Sequence, residues 1–277
     1  MRLGARALLL VLVAAGTLTF LYAQKEFAEY PGQNNAPLPP DYKQPREYVW
    51  GRLRYPDAGF GGGGGFGGRR GGGRFGRGAW STDYSKGDRV ILQSLSRLTR
   101  VDARSVEQVI DLDGTDDIYN WPFLYAVEVG RWELDDDQAK QLRDFINRGG
   151  FFMVDDFHGE YEWDVFMESF RKVFPDADVV DIPQSDAINQ IVTTLDQSLQ
   201  IPGRGAASAG LTYERADGFP GHWRGVYDKS NRLVVTIVHN SDLGDAVEYA
   251  DDPYYPAEYA QQALRIVSNY IVYDLTH

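Results

Sequence analysis

The chain contains no cysteine. That absence excludes disulfides, thiolate metal sites, cysteine nucleophiles and a lipidated amino-terminal cysteine. A protein made this way is held by its core alone. Also missing are HExxH, GxSxG and phosphate-loop patterns, so no chemistry is specified by spacing. Ser81, Ser85 and Ser241 lie near predicted strand ends, but none sits in a sharp glycine-flanked elbow, which argues against a serine nucleophile. Positive charge is short as well: 28 Lys and Arg stand against 40 Asp and Glu, a net −12. The deficit is local. Residues 1–80 carry 11 basic against 5 acidic groups, and residues 81–277 carry 17 against 35. A domain that acidic repels nucleic acid and anionic lipid, and suits cations, neutral sugars or basic partners.

With 43% hydrophobic residues in 277, the chain can bury one large core or two small ones. Met1–Gln24 has a basic start (Arg2, Arg6), an apolar run from Ala7 to Tyr22, and Ala23 as a small residue for cleavage. This is the layout of a secretory signal peptide, with an uncleaved membrane anchor as the alternative. Lys25–Arg46 is rich in Pro, Gln and Asn and reads as an extended tether. Gly59–Gly78 holds 13 glycines, four arginines and three phenylalanines. Such a segment is expected to be a disordered insertion, since it has too little apolar area to offset its chain entropy.

The remainder alternates between strand and helix periods. Strands are predicted at Glu47–Tyr55, Val106–Leu112, Phe123–Val129, Phe151–Val154, Asp178–Ile182, Trp223–Tyr227 and Leu233–Val238. Helices are predicted at Lys86–Thr99, Asp135–Arg148, Tyr161–Phe174 and Ala257–Asp274, while Ala187–Gly210 has no clear period. Such alternation implies one three-layer α/β domain over residues 47–277. Its sheet is mostly parallel, with helices on both faces and an antiparallel edge hairpin near the carboxyl terminus.

Ligands in open α/β sheets bind beyond the carboxyl ends of the strands. That rule draws attention to GGFFMVDDFHG at 149–159, where a wholly apolar strand runs into Asp155, Asp156 and His158. Other strand ends carry Asp113 and the run His239, Asn240, Ser241, Asp242. Two histidines and a carboxylate suffice to hold a divalent metal with positions left open. The candidate catalytic set is therefore Asp155, Asp156, His158 and His239. Asn240, Asp242, Glu160 and Asp113 are candidate ligand-binding groups. Against this stands a plainer expectation. Asp156 or Glu160 would suit the positive amino-terminal end of the helix at 161–174, and His158 and His239 would satisfy backbone groups.

Three blocks in order, WPFLYAVEVG at 121–130 with LRDFINRGGFFMVDD at 142–156, RLVVTIVHNSDLGDAVE at 232–248, and ALRIVSNYIVYDLTH at 263–277, resemble a bacterial family, domain of unknown function 4159. The resemblance covers about residues 47–277, interrupted by the glycine insertion. It implies a flavodoxin-like sheet related to class I glutamine amidotransferase-like domains. In those enzymes the strand equivalent to FFMVDD leads to a cysteine on a strained turn. Here Asp155-Asp156 stand there, so amidotransferase chemistry is excluded. A trehalose-utilisation-like group within that fold is similar in carrying a histidine near the same turn.

These features lead to an exported, non-catalytic binding or scaffolding domain of the cell envelope, periplasmic or secreted. Its partner would be an envelope glycan or protein, with Trp121, Tyr125, Trp163 or Trp223 as contacts where exposed. No nucleic acid, no membrane span after cleavage and no cofactor are expected. The alternative is a hydrolase assisted by a divalent metal on the Asp/His cluster, with Asp242 or Glu160 moving protons.

Overall fold

The computed structural model describes residues 38–57, 78–196 and 198–277. The signal-peptide segment, residues 25–37 of the tether and residues 59–77 of the insertion lie outside the described residues. Seven strands form one sheet: β1 (Trp50–Arg54), β2 (Gln108–Asp111), β3 (Phe123–Val127), β4 (Phe151–Asp155), β5 (Val180–Asp181), β6 (His222–Tyr227) and β7 (Leu233–His239). Their order is β2-β1-β3-β4-β7-β6-β5. β2, β1, β3, β4 and β7 are parallel, whereas β6 runs antiparallel to β7 and β5 antiparallel to β6. The predicted hairpin is present, and it joins the sheet through β7 beside β4. The exposed two-residue β5 is the edge.

The described helices are α1 (Lys86–Leu98), α2 (Asp136–Asn147), α3 (Gly159–Val173), α4 (Arg204–Ser208), α5 (Leu243–Glu248) and α6 (Ala257–Thr276). Side chains of β4 alternate between two cores, as the period of two requires. Phe152 and Val154 join Leu142, Phe145, Phe166 and Phe170 of α2 and α3. Phe151 and Met153 join Leu92, Leu95, Ile266 and Val267 of α1 and α6. Both faces of β4 are covered, which is why its sequence is apolar at every position.

The doubled glycine before β4 has two separate causes. Gly149 ends α2 with φ +102°, a conformation that costs other residues strain. Gly150 has no such need, but a Cβ there would meet the Phe145 ring at 2.3 Å. The helix α2 itself starts with a full capping box, in which Asp135 and Gln138 satisfy each other's backbone N–H groups.

Two short helices were not foreseen. α4 falls in the stretch without clear period, and α5 follows β7 directly. α5 buries Leu243, Gly244, Ala246 and Val247, so it shows no one-sided apolar stripe. Trp121, Tyr125 and Trp223 are buried, at 3%, 2% and 7% exposure, and so are not available to contact a glycan. Trp163 is half-buried, with the Arg224 guanidinium 4.5 Å from its ring centroid. Among the described residues no helix is long and apolar enough to cross a membrane.

One buried ion pair ties the first strand to the first helix. Arg52 of β1 donates from Nε and Nη2 to the two oxygens of Asp88 in α1, at 3.2 and 3.0 Å. The Trp50 indole N–H adds a third bond to Asp88 at 2.5 Å. Arg52 also donates to the carbonyls of Trp80 and Thr82, and so holds the loop that enters α1. With both partners at most 1% exposed, removing one leaves the other charged in a dry interior. Arg52→Met is expected to destabilise the domain by about 3–5 kcal/mol, measurable by urea unfolding. Gly150→Ala should cost about 1–3 kcal/mol through displacement of the Phe145 ring, with helix content unchanged by circular dichroism.

Candidate functional site

Asp155 and Asp156 leave the same strand but do different things. Asp155 Oδ2 accepts hydrogen bonds from the backbone N–H groups of Leu243 and Gly244, at 2.9 and 3.1 Å, and from the Tyr125 hydroxyl at 3.1 Å. It therefore satisfies the free donors at the start of α5 and fastens β4 to the turn after β7. The side chain is fully buried, and burial pushes its pKa up to about 7 despite these bonds. Its role is that of a structural tie.

The donors at the start of α3 are met by other groups. His158 N–H donates to Glu162 Oε2 at 2.7 Å, Gly159 N–H to Asn240 Oδ1 at 2.8 Å, and Glu160 N–H to Asp217 Oδ2 at 3.0 Å. The capping expected of Asp156 is thus performed by Glu162, Asn240 and Asp217. Asp156 is left with one hydrogen-bonding partner, His158 Nε2 at 3.0 Å. Its backbone is left-handed (φ +56°), as are those of Asp83 (+60°), Glu128 (+54°) and Asn240 (+65°). Asp and Asn tolerate this region better than most residues. Its use around one crevice directs these side chains off the ends of their strands and loops, at a cost on the order of 1 kcal/mol or more each.

Asp156 stands where two groups of ligand-type atoms meet. In one it joins His158 and Glu214; in the other it joins Asp83 and Asp242, and Asp83 further joins Asp245 and Glu248. Within each group the nearest ligand atoms lie within 4.8 Å of one another. Two like charges at 4.8 Å repel by about 3 kcal/mol at an effective dielectric of ~20. Among the described residues, no Lys or Arg pairs with Asp83, Asp156 or Asp242. The carboxyls of these residues are consequently held well above their ordinary range. Burial is the largest cause for each, followed by Glu214 for Asp156 and by Asp156 for Asp83 and Asp242. Glu128, beside them at the end of β3, is raised to about 8 by burial and then by Asp156. Asp83 Oδ2 is buried and receives no hydrogen bond. The arrangement is a cluster of buried carboxyl oxygens with no Lys or Arg at ion-pair distance among the described residues, offset in part at Asp83 by the charge of Arg52.

The other expected residues divide clearly. Asp242 belongs to the cluster, and its Oδ1 also caps α5 by accepting Asp245 N–H at 2.7 Å. His239 does not belong to it. Its Nε2 donates to the Gly159 carbonyl at 3.1 Å, its ring packs on Phe157 and Trp163, and burial lowers its pKa to about 3. It is a neutral imidazole that holds the start of α3. Asn240 bridges Gly159 and the Pro220 carbonyl. Glu160 is exposed on the first turn of α3. Asp113 lines a different groove, of about 590 Å³, with Arg54, Tyr119, Asp135 and Gln141; no member of the three groups lines it.

Asp83, Glu214, Asp245 and Glu248 were not identified from sequence. Asp83 precedes α1 and reads there as a capping residue. Glu214 lies in an irregular loop, where it accepts Gly203 N–H through Oε1.

The chain belongs to a family described as a domain of unknown function (DUF4159), whose model matches residues 72–275. Comparison with curated proteins gives no match.

The two neighbouring aspartates should separate by mutation. Asp155→Ala strands two buried N–H groups and a hydroxyl, and is expected to cost about 3 kcal/mol or more. Asp156→Asn keeps the left-handed backbone and removes a repelling charge. It is expected to raise the midpoint of the metal-free protein by about 2–4 °C for each kcal/mol relieved. Thermal unfolding in a chelating buffer at pH 7.5 checks both; equal destabilisation would refute the division of roles.

Proposed function

We propose that the domain binds a divalent cation in the strand-end crevice and uses it in hydrolysis. The observation that carries this reading is the Asp156 carboxylate, buried, released from capping, and set among His158, Glu214, Asp83 and Asp242 with no Lys or Arg partner among the described residues. Oxygen-rich sets with one imidazole suit Mg²⁺, Mn²⁺, Ca²⁺ or Zn²⁺. Such an ion polarises a carbonyl or phosphoryl oxygen and lowers the pKa of a bound water. The chain supplies the remaining parts. Asp156 with His158 and Glu214, or Asp156 with Asp83 and Asp242, would hold the ion, and Asp155, Asn240 and His239 fix the backbone around them. The water's oxygen adds to the electrophilic centre, its proton passes to a base, and the leaving group takes a proton as its bond breaks. Glu128 is our choice for the base, because burial and then Asp156 raise its pKa to about 8 against the pull of its ion-pair partner Arg131 at 2.9 Å, and it belongs to none of the three ligand groups. The basic-then-apolar segment Met1–Gln24 supports export, so the substrate class would be an ester, amide or phosphoester outside the cytoplasm.

The reading predicts that protein purified without added ions carries divalent metal, measured by elemental analysis. Adding Mn²⁺, Ca²⁺ or Zn²⁺ to stripped protein should raise its thermal midpoint, an effect worth about 2.7 kcal/mol when the ion is at 100 times its Kd. Asp156→Asn should abolish the rise. No metal and an unmoved midpoint would end the proposal. Metal uptake without cleavage of aryl-ester, anilide or aryl-phosphate probes would leave cation binding without hydrolysis, closer to the non-catalytic envelope domain expected from sequence, for which no cofactor is expected.

A further inference from the structure

We infer that the crevice is built for two cations of different chemical preference, with Asp156 as the ligand they share. The inference rests on the cation-binding reading above and goes beyond it in number and kind. Asp156 belongs to two ligand sets at once, one with His158 and Glu214 and one with Asp83 and Asp242. Its Oδ1 is 3.0 Å from His158 Nε2, which is in turn 3.7 Å from Glu214 Oε2. A carboxylate has two oxygens, and in two-metal sites a shared one spans ions about 3.5–4 Å apart.

Two further observations bear on this. Gly203 has an ordinary backbone (φ −64°), so its lack of a side chain answers to space and not to conformation. A Cβ there would lie 2.2 Å from Glu214 Oε1 and 2.5 Å from Asp242 Oδ2. Glu214 Oε1 is at that distance because it accepts the Gly203 N–H, and one carboxylate from each set thus packs directly against this glycine's backbone. In the other set, Asp83 contributes a buried oxygen that no backbone N–H, hydroxyl or basic group reaches, with the Glu248 carboxyl as its neighbour. The third grouping, Asp83 with Asp245 and Glu248, is not counted, because it does not contain Asp156, the ligand that the other two sets share.

The sets differ in chemistry. His158 with two carboxylates favours a borderline ion such as Zn²⁺ or Mn²⁺, whereas three carboxylates favour Ca²⁺, Mg²⁺ or Mn²⁺. Mn²⁺ suits both.

The test uses the full chain, stripped by chelation and titrated with Mn²⁺ by calorimetry and elemental analysis. Two equivalents are expected, with the spin-coupled electron paramagnetic resonance signal of a close pair. His158→Ala should retain one equivalent and lose the coupling, and should lose Zn²⁺ uptake while keeping Ca²⁺. Asp242→Asn should also retain one, with the opposite preference. Circular dichroism establishes that each variant is folded, and the wild-type spectrum needs no variant. One equivalent in the wild type, or two with no spin coupling, would overturn the shared-ligand pair and leave a single-cation site standing. No bound ion at all would overturn both readings.

Discussion

The hydrogen bonds from Leu243 and Gly244 N–H to Asp155 Oδ2 join the end of β4 to the start of α5, and the geometry of the carboxyl edge follows from them. A helix that begins at this edge brings N–H groups with no partner inside the helix. Here two helices, α3 and α5, begin within a few residues of neighbouring strand ends. How their donors are satisfied decides which polar side chains remain uncommitted. Asp155 and Asp242 serve α5; Glu162, Asn240 and Asp217 serve α3. Asp156, in the middle, is needed by neither. Its availability is the remainder of a local accounting of backbone donors.

That remainder would be harmless on an open surface, where water screens charge. In this cluster it is costly, because Asp83, Asp156 and Asp242 are brought together with no Lys or Arg at ion-pair distance among the described residues; buried Arg52 is paired with Asp88, and its charge lowers Asp83 without reversing the upward shift. The same pair of residues fixes the loop that carries Asp83, through the carbonyls of Trp80 and Thr82. The Arg52–Asp88 pair thus helps to place a carboxyl in the cluster while compensating it only in part. Sites that conflict with local stability in this way are where function is expected to reside.

The scaffold was legible from sequence where period and length were strong. The apolar run at 151–154, the helix expected from Asp135, and the helix expected over 161–174 all correspond to observed elements. Residues at the ends of long strands, Asp155, Asp156, His158 and Asp242, were legible for the same reason, since a strand that can be located has an end that can be located. Roles were harder. Asp155 and Asp156 are adjacent and identical in kind, and only the positions of Leu243 and Gly244 in space separate a tie from a candidate ligand. His239 looked like a partner of His158, but a period of two put it at the end of a different strand, with its ring turned to Phe157 and Trp163. Asp83 and Glu214 come from loops, where sequence carries no period to place them. α5 escaped because a helix of six residues buried on nearly all sides has no stripe to show.

The lack of cysteine gives the cluster a further consequence. Without disulfides, the domain's stability comes from its two cores and from whatever its carboxyl edge adds or removes. A cation that neutralises Asp83, Asp156 and Asp242 converts a repulsive set into coordinate bonds, and only the folded chain assembles that set. Binding and folding then share one equilibrium. Repulsion in the empty crevice weakens the folded state, and the same repulsion, once relieved, contributes to the affinity. A stiff sheet with β3, β4 and β7 hydrogen-bonded in register keeps the oxygens from moving apart to escape one another. In the proposed reading, the sheet's rigidity fixes the strand end from which Asp156 leaves, and with it the approach of that carboxyl to those of Asp83 and Asp242.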